Sequence, residues 1–256
     1  MPVPQTSSQE INQQLQRLLQ RGEFVDKRSV EYRAIEREVQ KLIHANAAEG
    51  YASMGALCSL AGDLDGVRDY YRKALLLPYD PAVSGNKILS LINVGLFTEA
   101  AQDVSFLERP ERGQLEAAIK FNVELGRFRR AVQLINKWNE LHKEEQRRLE
   151  ALPKVVEVLN KAKIDDDDAF LPALDVIGKV LRDFRLIVFT EPLVGVVNNE
   201  GIEEILFRMR VTASPQVTVE LETRAVEALF ASNVNIYDSV IRFGFLSANE
   251  LKRQAA

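Results

Sequence analysis

Residues 48–81 read AEGYASMGALCSLAGDLDGVRDYYRKALLLPYDP. Tyr51, Met54, Gly55 and Cys58 follow helical spacing, Gly62-Asp63 interrupts it, and Val67, Tyr71, Ala74 and Leu75 resume it. Glycine accepts the left-handed backbone that closes a helix C-terminus, so Gly62 marks a turn. Gly55, without a Cβ, lets a facing helix come close. Pro78 and Pro81 bracket the end of the second helix, which proline cannot continue. The stretch therefore predicts a helical hairpin. Such a unit cannot bury its own apolar side and must stack on neighbours.

The pattern recurs at Gly95, Phe97 and Ala100 and again at Gly126, Phe128 and Ala131, with the aromatic two residues after the glycine and the alanine five after it. The three turn glycines are 33 and 31 residues apart. Over residues 48–141 the chain resembles the tetratricopeptide (TPR) repeat family, whose period is about 34 residues. Val67, where that family usually has a small alanine, and Tyr79, where it usually has a proline, depart from the pattern. The resemblance implies that Phe97 and Phe128 plug the elbows between helices and that Ala100 and Ala131 allow close helix contact. It also implies a partner site on the concave face lined by the first helix of each hairpin. The positions on that face are Glu49, Ala52, Ala56 and Ser59, then Ala82, Gly85, Leu89 and Ile92, then Gly113, Glu116, Lys120 and Val123. Glu49, Ala52, Ala56, Ser59, Leu89, Ile92, Glu116, Lys120 and Val123 are taken as the candidate partner contacts. One lysine does not make a carboxylate clamp, and the face is otherwise small and apolar. It suits an amphipathic helix or an extended apolar segment. Three occupants compete with a foreign partner: the chain's own N-terminal helices, its C-terminal unit, and a second copy in a homodimer. The rival architecture is a run of ordinary antiparallel helices with glycine turns.

Residues 1–9 read as a disordered lead-in, and residues 10–163 as the helical domain with N-terminal capping helices. Ile11, Leu15, Leu18 and Leu19 predict one capping helix. Ser29 caps a second, with Val30, Ile35, Val39, Leu42 and Ile43 on its buried side. Residues 143–163 read as helix broken near Pro153. Four aspartates at 165–168 open an acidic C-terminal unit, residues 164–256, in front of an apolar-periodic segment from Phe170 to Leu181. Residues 186–189 and 193–197 are β-rich, 198–201 reads as a turn, and Phe207, Met209 and Val211 alternate as a half-buried strand does. Ser214-Pro215 starts a helix over 215–231, and residues 234–245 form a last strand. The fold class expected is α+β, mainly α: a short TPR-like α-solenoid followed by a small α+β unit with an antiparallel sheet.

The net charge of −4 and a pI near 5.5 argue against nucleic acid or an anionic membrane as partner. Residues 1–150 balance 21 basic against 21 acidic side chains, while 151–256 hold 12 against 16. A single cysteine, Cys58, cannot form an intrachain disulfide, which fits a reducing compartment. No signal peptide or membrane-length apolar run is visible, so a soluble cytoplasmic protein is expected. Residues 165–168 lack the glycine and spacing of a cation loop. His44 and His142 have no evident ligand or acid–base partners, and Cys58 falls at a packing position. Arg127, Arg129, Arg130, Arg147 and Arg148 lie among Glu124, Glu140, Glu144 and Glu145, which favours ion-paired faces over a nucleic-acid stripe. No phosphate loop, nucleophile elbow or zinc spacing occurs. The reading is a non-catalytic protein–protein interaction module without metal or cofactor. Its rivals are an enzyme using Asp183, Glu191, Glu203, Glu204, Glu220 or Glu222, and a nucleic-acid regulator using the arginines.

Overall fold

The computed structural model describes residues 5–78, 80–188, 190–234 and 240–247. Helix α1 (Gln5–Leu19) begins inside the expected disordered lead-in, because Ile11, Leu15 and Leu18 give it an apolar face to bury. Helix α2 (Val30–Ala45) starts at Ser29, whose hydroxyl accepts the Tyr32 N–H. Val30, expected on its buried side, is 85 % exposed, and Tyr32 takes the inner position. Three antiparallel helix pairs follow: α3 (Ala47–Ser59) with α4 (Leu64–Leu75), α5 (Pro81–Asn93) with α6 (Phe97–Val104), and α7 (Arg112–Glu124) with α8 (Phe128–Leu141).

The three pairs turn in the same way. Gly62, Gly95 and Gly126 have φ of +70°, +67° and +72°. Asp63 donates its N–H to the Cys58 carbonyl, Leu96 to that of Leu91, and Arg127 to that of Asn122. These bonds close the first helix of each pair and aim the second back along it. Phe97, Phe128, Ala100 and Ala131 are buried at the elbows. A Cβ on Gly55 would lie 2.6 Å from the Tyr71 ring, so only glycine fits between α3 and α4.

The second helices differ in how they are capped. Asp63 caps α4 itself, accepting the Gly66 N–H at 3.1 Å. Leu96 and Arg127 cannot do this at the equivalent places. Asp175 instead accepts the N–H groups of Phe97 (2.7 Å) and Thr98 (3.1 Å). Asp167 accepts those of Arg129 (3.1 Å) and Arg130 (2.7 Å). Both carboxylates come from the segment leading into and through α10 (Leu171–Asp183), which runs across the turns. There Gly178 lies so close to Gly95 that a Cβ on either would be under 3 Å from the other's backbone. Arg182 donates to the Gly95 carbonyl at 3.0 Å.

Residues 143–150 are not helical. Helix α9 (Ala151–Lys161) starts after them, with Pro153 in its first turn, where a missing N–H loses no helical bond. The expected strand over 186–189 is reduced to one bridge between Leu186 and Glu23, and Phe189 lies outside the described residues. Strand β1 (Thr190–Asn199) pairs antiparallel with β2 (Ile202–Val211) through a Glu200-Gly201 turn whose φ values are both positive. Pro192 sits where the β1 register shifts, the usual tolerance of a strand for proline. Helix α11 (Pro215–Ala231) then carries the chain to β3 (Ile241–Ser247), which pairs parallel with β2. The sheet is therefore mixed, in the order β1-β2-β3, and not antiparallel throughout. A crossover helix returns the chain to the end where β2 began, and a parallel partner results. The last strand begins at Ile241 and not at 234; residues 235–239 lie outside the described residues.

Residue 164, expected as a domain boundary, opens a segment tied to both parts. Asp167 and Asp175 cap α8 and α6, α10 packs on α11, and Phe128 reaches both Phe170 (6.3 Å) and Phe207 (6.2 Å). One apolar core runs from α1 to β3.

Candidate partner-binding cavity between α7 and β1

The nine candidate contacts fall into two groups with different neighbours. Ala52, Ala56, Ser59 and Leu89 border a narrow groove of about 290 Å³ whose other wall is Asn12, Leu15, Gln16 and Leu19 of α1. Glu49 accepts a hydrogen bond from the Ser8 hydroxyl of α1, and Ile92 is buried in the core. The chain's own first helix thus lies along the near half of the face. Glu116, Lys120 and Val123 line a wider cavity of about 580 Å³ at the far end.

Three elements build this cavity. Helix α7 supplies Glu116, Ile119, Lys120 and Val123 along one side, and α8 supplies Ile135. Residues 146–152 form a rim that includes Arg147, Arg148, Leu149, Glu150 and Leu152. Strand β1 closes the third side with Glu191, Pro192, Leu193 and Val194. The rim is pinned at several points. Asn139 clasps the Arg147 backbone, accepting its N–H at 2.7 Å and donating to its carbonyl at 3.0 Å. Trp138 donates its indole N–H to the Glu145 carbonyl at 2.8 Å. The Arg147 guanidinium lies 4.4 Å from the centre of the Trp138 ring and also pairs with Glu116.

Glu124, at the end of α7, does not line the cavity. It is buried, Lys120 stands 3.8 Å from one of its oxygens, and its Oε2 has no hydrogen-bond partner. Burial pushes its pKa up to about 7; Lys120 opposes the shift and the charge of Glu191 adds to it. In the sequence Glu124 is expected on an ion-paired surface with the nearby arginines. Those arginines have other partners: Arg127 pairs with Asp168, Arg129 with Asp165, Arg130 with Glu108 and Arg147 with Glu116.

The remaining chemistry-bearing residues are dispersed. Glu203 is held by Lys154 and Lys161, Glu204 by Arg242, and Glu222 accepts the Phe245 N–H. Asp183 and Glu220 flank a separate hollow between α10 and α11, which Glu191 does not line. Burial, followed by the charge of Asp63, pushes the Cys58 thiol up to about 12, which leaves it protonated at neutral pH. His142 packs against Trp138 with ring centres 4.4 Å apart and the planes tilted by 46°. Among the described residues there is no group of three or more His, Cys, Asp or Glu that could hold a metal ion. Among them, too, no helix is long and apolar enough to cross a membrane.

The sequence does not reveal that β1 and the rim wall this cavity: Glu191, Arg147 and Arg148 are read there in other roles. Nothing in the residues of β1 signals that it meets α7, about 70 residues earlier in the chain. Comparisons with protein-family models, with curated proteins and with solved structures find no match.

Proposed function

We propose that this chain is a non-catalytic protein-interaction module of the TPR-like kind, which receives a segment of a partner protein in the α7–β1 cavity. The repeated glycine turns, with their repeated hydrogen bonds, support the repeat reading. The observation that carries the site is the contrast between the two ends of the first-helix face. The near end is covered by α1, whereas the far end stays open, walled by Ile119, Val123, Ile135, Leu152, Leu193 and Val194. Binding is driven by removal of apolar surface. A segment burying about 300 Å² of it gains roughly 7 kcal/mol before the costs of association, which points to modest affinity and a reversible contact. The single, buried cysteine fits a reducing, cytoplasmic setting.

Affinity capture from extract of the native host, with wild-type protein beside Leu193→Arg and Leu76→Arg, tests this. Leu193 lines the cavity and is 44 % exposed, and Leu76 is 81 % exposed and does not line it, so both positions accept arginine without unfolding the core. Loss of a captured protein with Leu193→Arg alone is expected. Equal capture by all three proteins contradicts the proposal.

A further inference from the structure

We infer that the groove between α1 and the helices α3 and α5 binds a small uncharged molecule whose polar edge sets a hydrogen-bond donor beside an acceptor, as a lactam or a urea does. This groove is separate from the α7–β1 cavity and shares no lining residue with it. Its volume of about 290 Å³ is at the lower end for small-molecule pockets. Helical spacing builds its polar walls. On α5, Asn86, Ser90 and Asn93 are four and then three residues apart, so they share one side of the helix. On α1, Asn12 and Gln16 line the groove one turn apart. Asn12, Gln16 and Asn86 are exposed and border the mouth.

Two of the polar groups are buried with nothing to bond to. Asn93 is 5 % exposed and Ser53 7 % exposed, both line the groove, and neither side chain has a hydrogen-bond partner among the described residues. Their polar atoms are not sealed from solvent, so they open on the groove. By contrast, the Ser59 hydroxyl donates to the Ala56 carbonyl at 2.7 Å, and the Ser90 hydroxyl shares a 2.9 Å bond with that of Tyr71. The three hairpins show that the fold does not require asparagine at position 93. Leu60, Asn93 and Glu124 each stand two residues before a turn glycine, and all three are buried. The first hairpin fills this place with leucine, so an apolar side chain is accepted there. A buried polar group without a partner is costly, and a ligand that bonds to Asn93 accounts for it. The lining also sets the ligand's class. No charged side chain lines the groove among the described residues, so an ion would lose its hydration without a counter-charge. Each carboxamide offers an acceptor oxygen beside a donor NH2. Leu15, Leu19 and Leu89 supply apolar wall, which water leaves unsatisfied and a short hydrocarbon body covers.

Saturation-transfer NMR on the folded chain tests the inference, with δ-valerolactam and butylurea as neutral probes beside butyrate and butylamine. Wild type should transfer saturation to the two neutral probes alone. In isotope-labelled protein the Asn93 side-chain NH2 signals, identified by their absence from Asn93→Leu, should shift as a neutral probe is added. Asn93→Leu should melt no lower than the wild type and weaken probe binding about tenfold, the worth of one hydrogen bond. Asn86→Ala, an exposed change at the mouth, should weaken it several-fold, and it carries the test if Asn93→Leu does not fold. Equal transfer to the charged probes, no transfer to any probe, or neutral-probe binding that the folded variants keep in full overturns the inference. None of these results bears on the α7–β1 cavity, which is tested separately.

Discussion

Glu124→Gln should free the protein of a stability penalty that grows with pH. Burial lifts this carboxyl from 4.5 to about 7 in the folded chain. Between those values the native state keeps a proton that the unfolded chain has released. Wild-type stability therefore falls as pH rises through that window and levels off above it. The full shift is worth about 3 kcal/mol, at 1.36 kcal/mol per pH unit. Glutamine has nearly the same shape and does not titrate. The stability of Glu124→Gln minus that of the wild type should thus increase by up to about 3 kcal/mol between pH 5 and pH 8. With a urea slope near 2 to 3 kcal/mol/M, this separates the two midpoints by about 1 M more at pH 8 than at pH 5. Trp138, the one tryptophan and a buried one, reports the transition by fluorescence, and far-UV circular dichroism checks that helix loss coincides. The difference between variants cancels every other titrating group. A difference that stays constant from pH 5 to pH 8 would show that Glu124 is not an uncompensated buried acid.

Three further outcomes are expected. Gly178→Ala gains about 1 kcal/mol of helix propensity, but its Cβ would meet the Gly95 carbonyl at 2.3 Å. The clash should win and lower the melting temperature by several degrees, whereas an unchanged melt would mean that α10 does not rest on that turn. Asp175→Ala removes the acceptor of the Phe97 and Thr98 N–H groups and should cost about 1 to 2 kcal/mol, with Asp175→Asn retaining most of it. Faster hydrogen exchange at those two amides is the direct readout, and unaltered exchange would rule out the long-range cap. Cys58 should react with a disulfide reagent at pH 8 only as urea unfolds the chain; rapid reaction of the native protein would contradict its burial.

Local signals in the sequence carried the helix pairs. Gly62, Gly95 and Gly126 are legible because a left-handed turn has a strong residue preference, and Ser29 and Ser214 are legible as caps for a similar reason. Strand character at 193–197 and 207–211 and the helix over 215–231 are legible too, but the pairing of the strands is not. β2 and β3 show the same apolar faces whether they run parallel or antiparallel. Asp167 reads as part of an acidic run and Asp175 carries no signal at all, since a carboxylate that caps a helix 37 or 78 residues away leaves no local pattern. Glu116, Lys120 and Val123, three of the candidate contacts, line one cavity, and its far wall depends on β1 folding back onto α7. Glu124 was misread because α7 buries Leu115, Ala118, Ile119, Phe121, Asn122 and Glu124 together, and no single apolar stripe marks its exposed side.

The central claim is that a partner's segment lies in the α7–β1 cavity, and site-directed photo-crosslinking in the native host tests it most directly. A photoreactive phenylalanine analogue at position 193, in the cavity wall, should form a discrete adduct with another protein that is absent from the same probe at position 76. Adducts of equal yield from both positions, or an adduct from position 76 alone, would contradict the account.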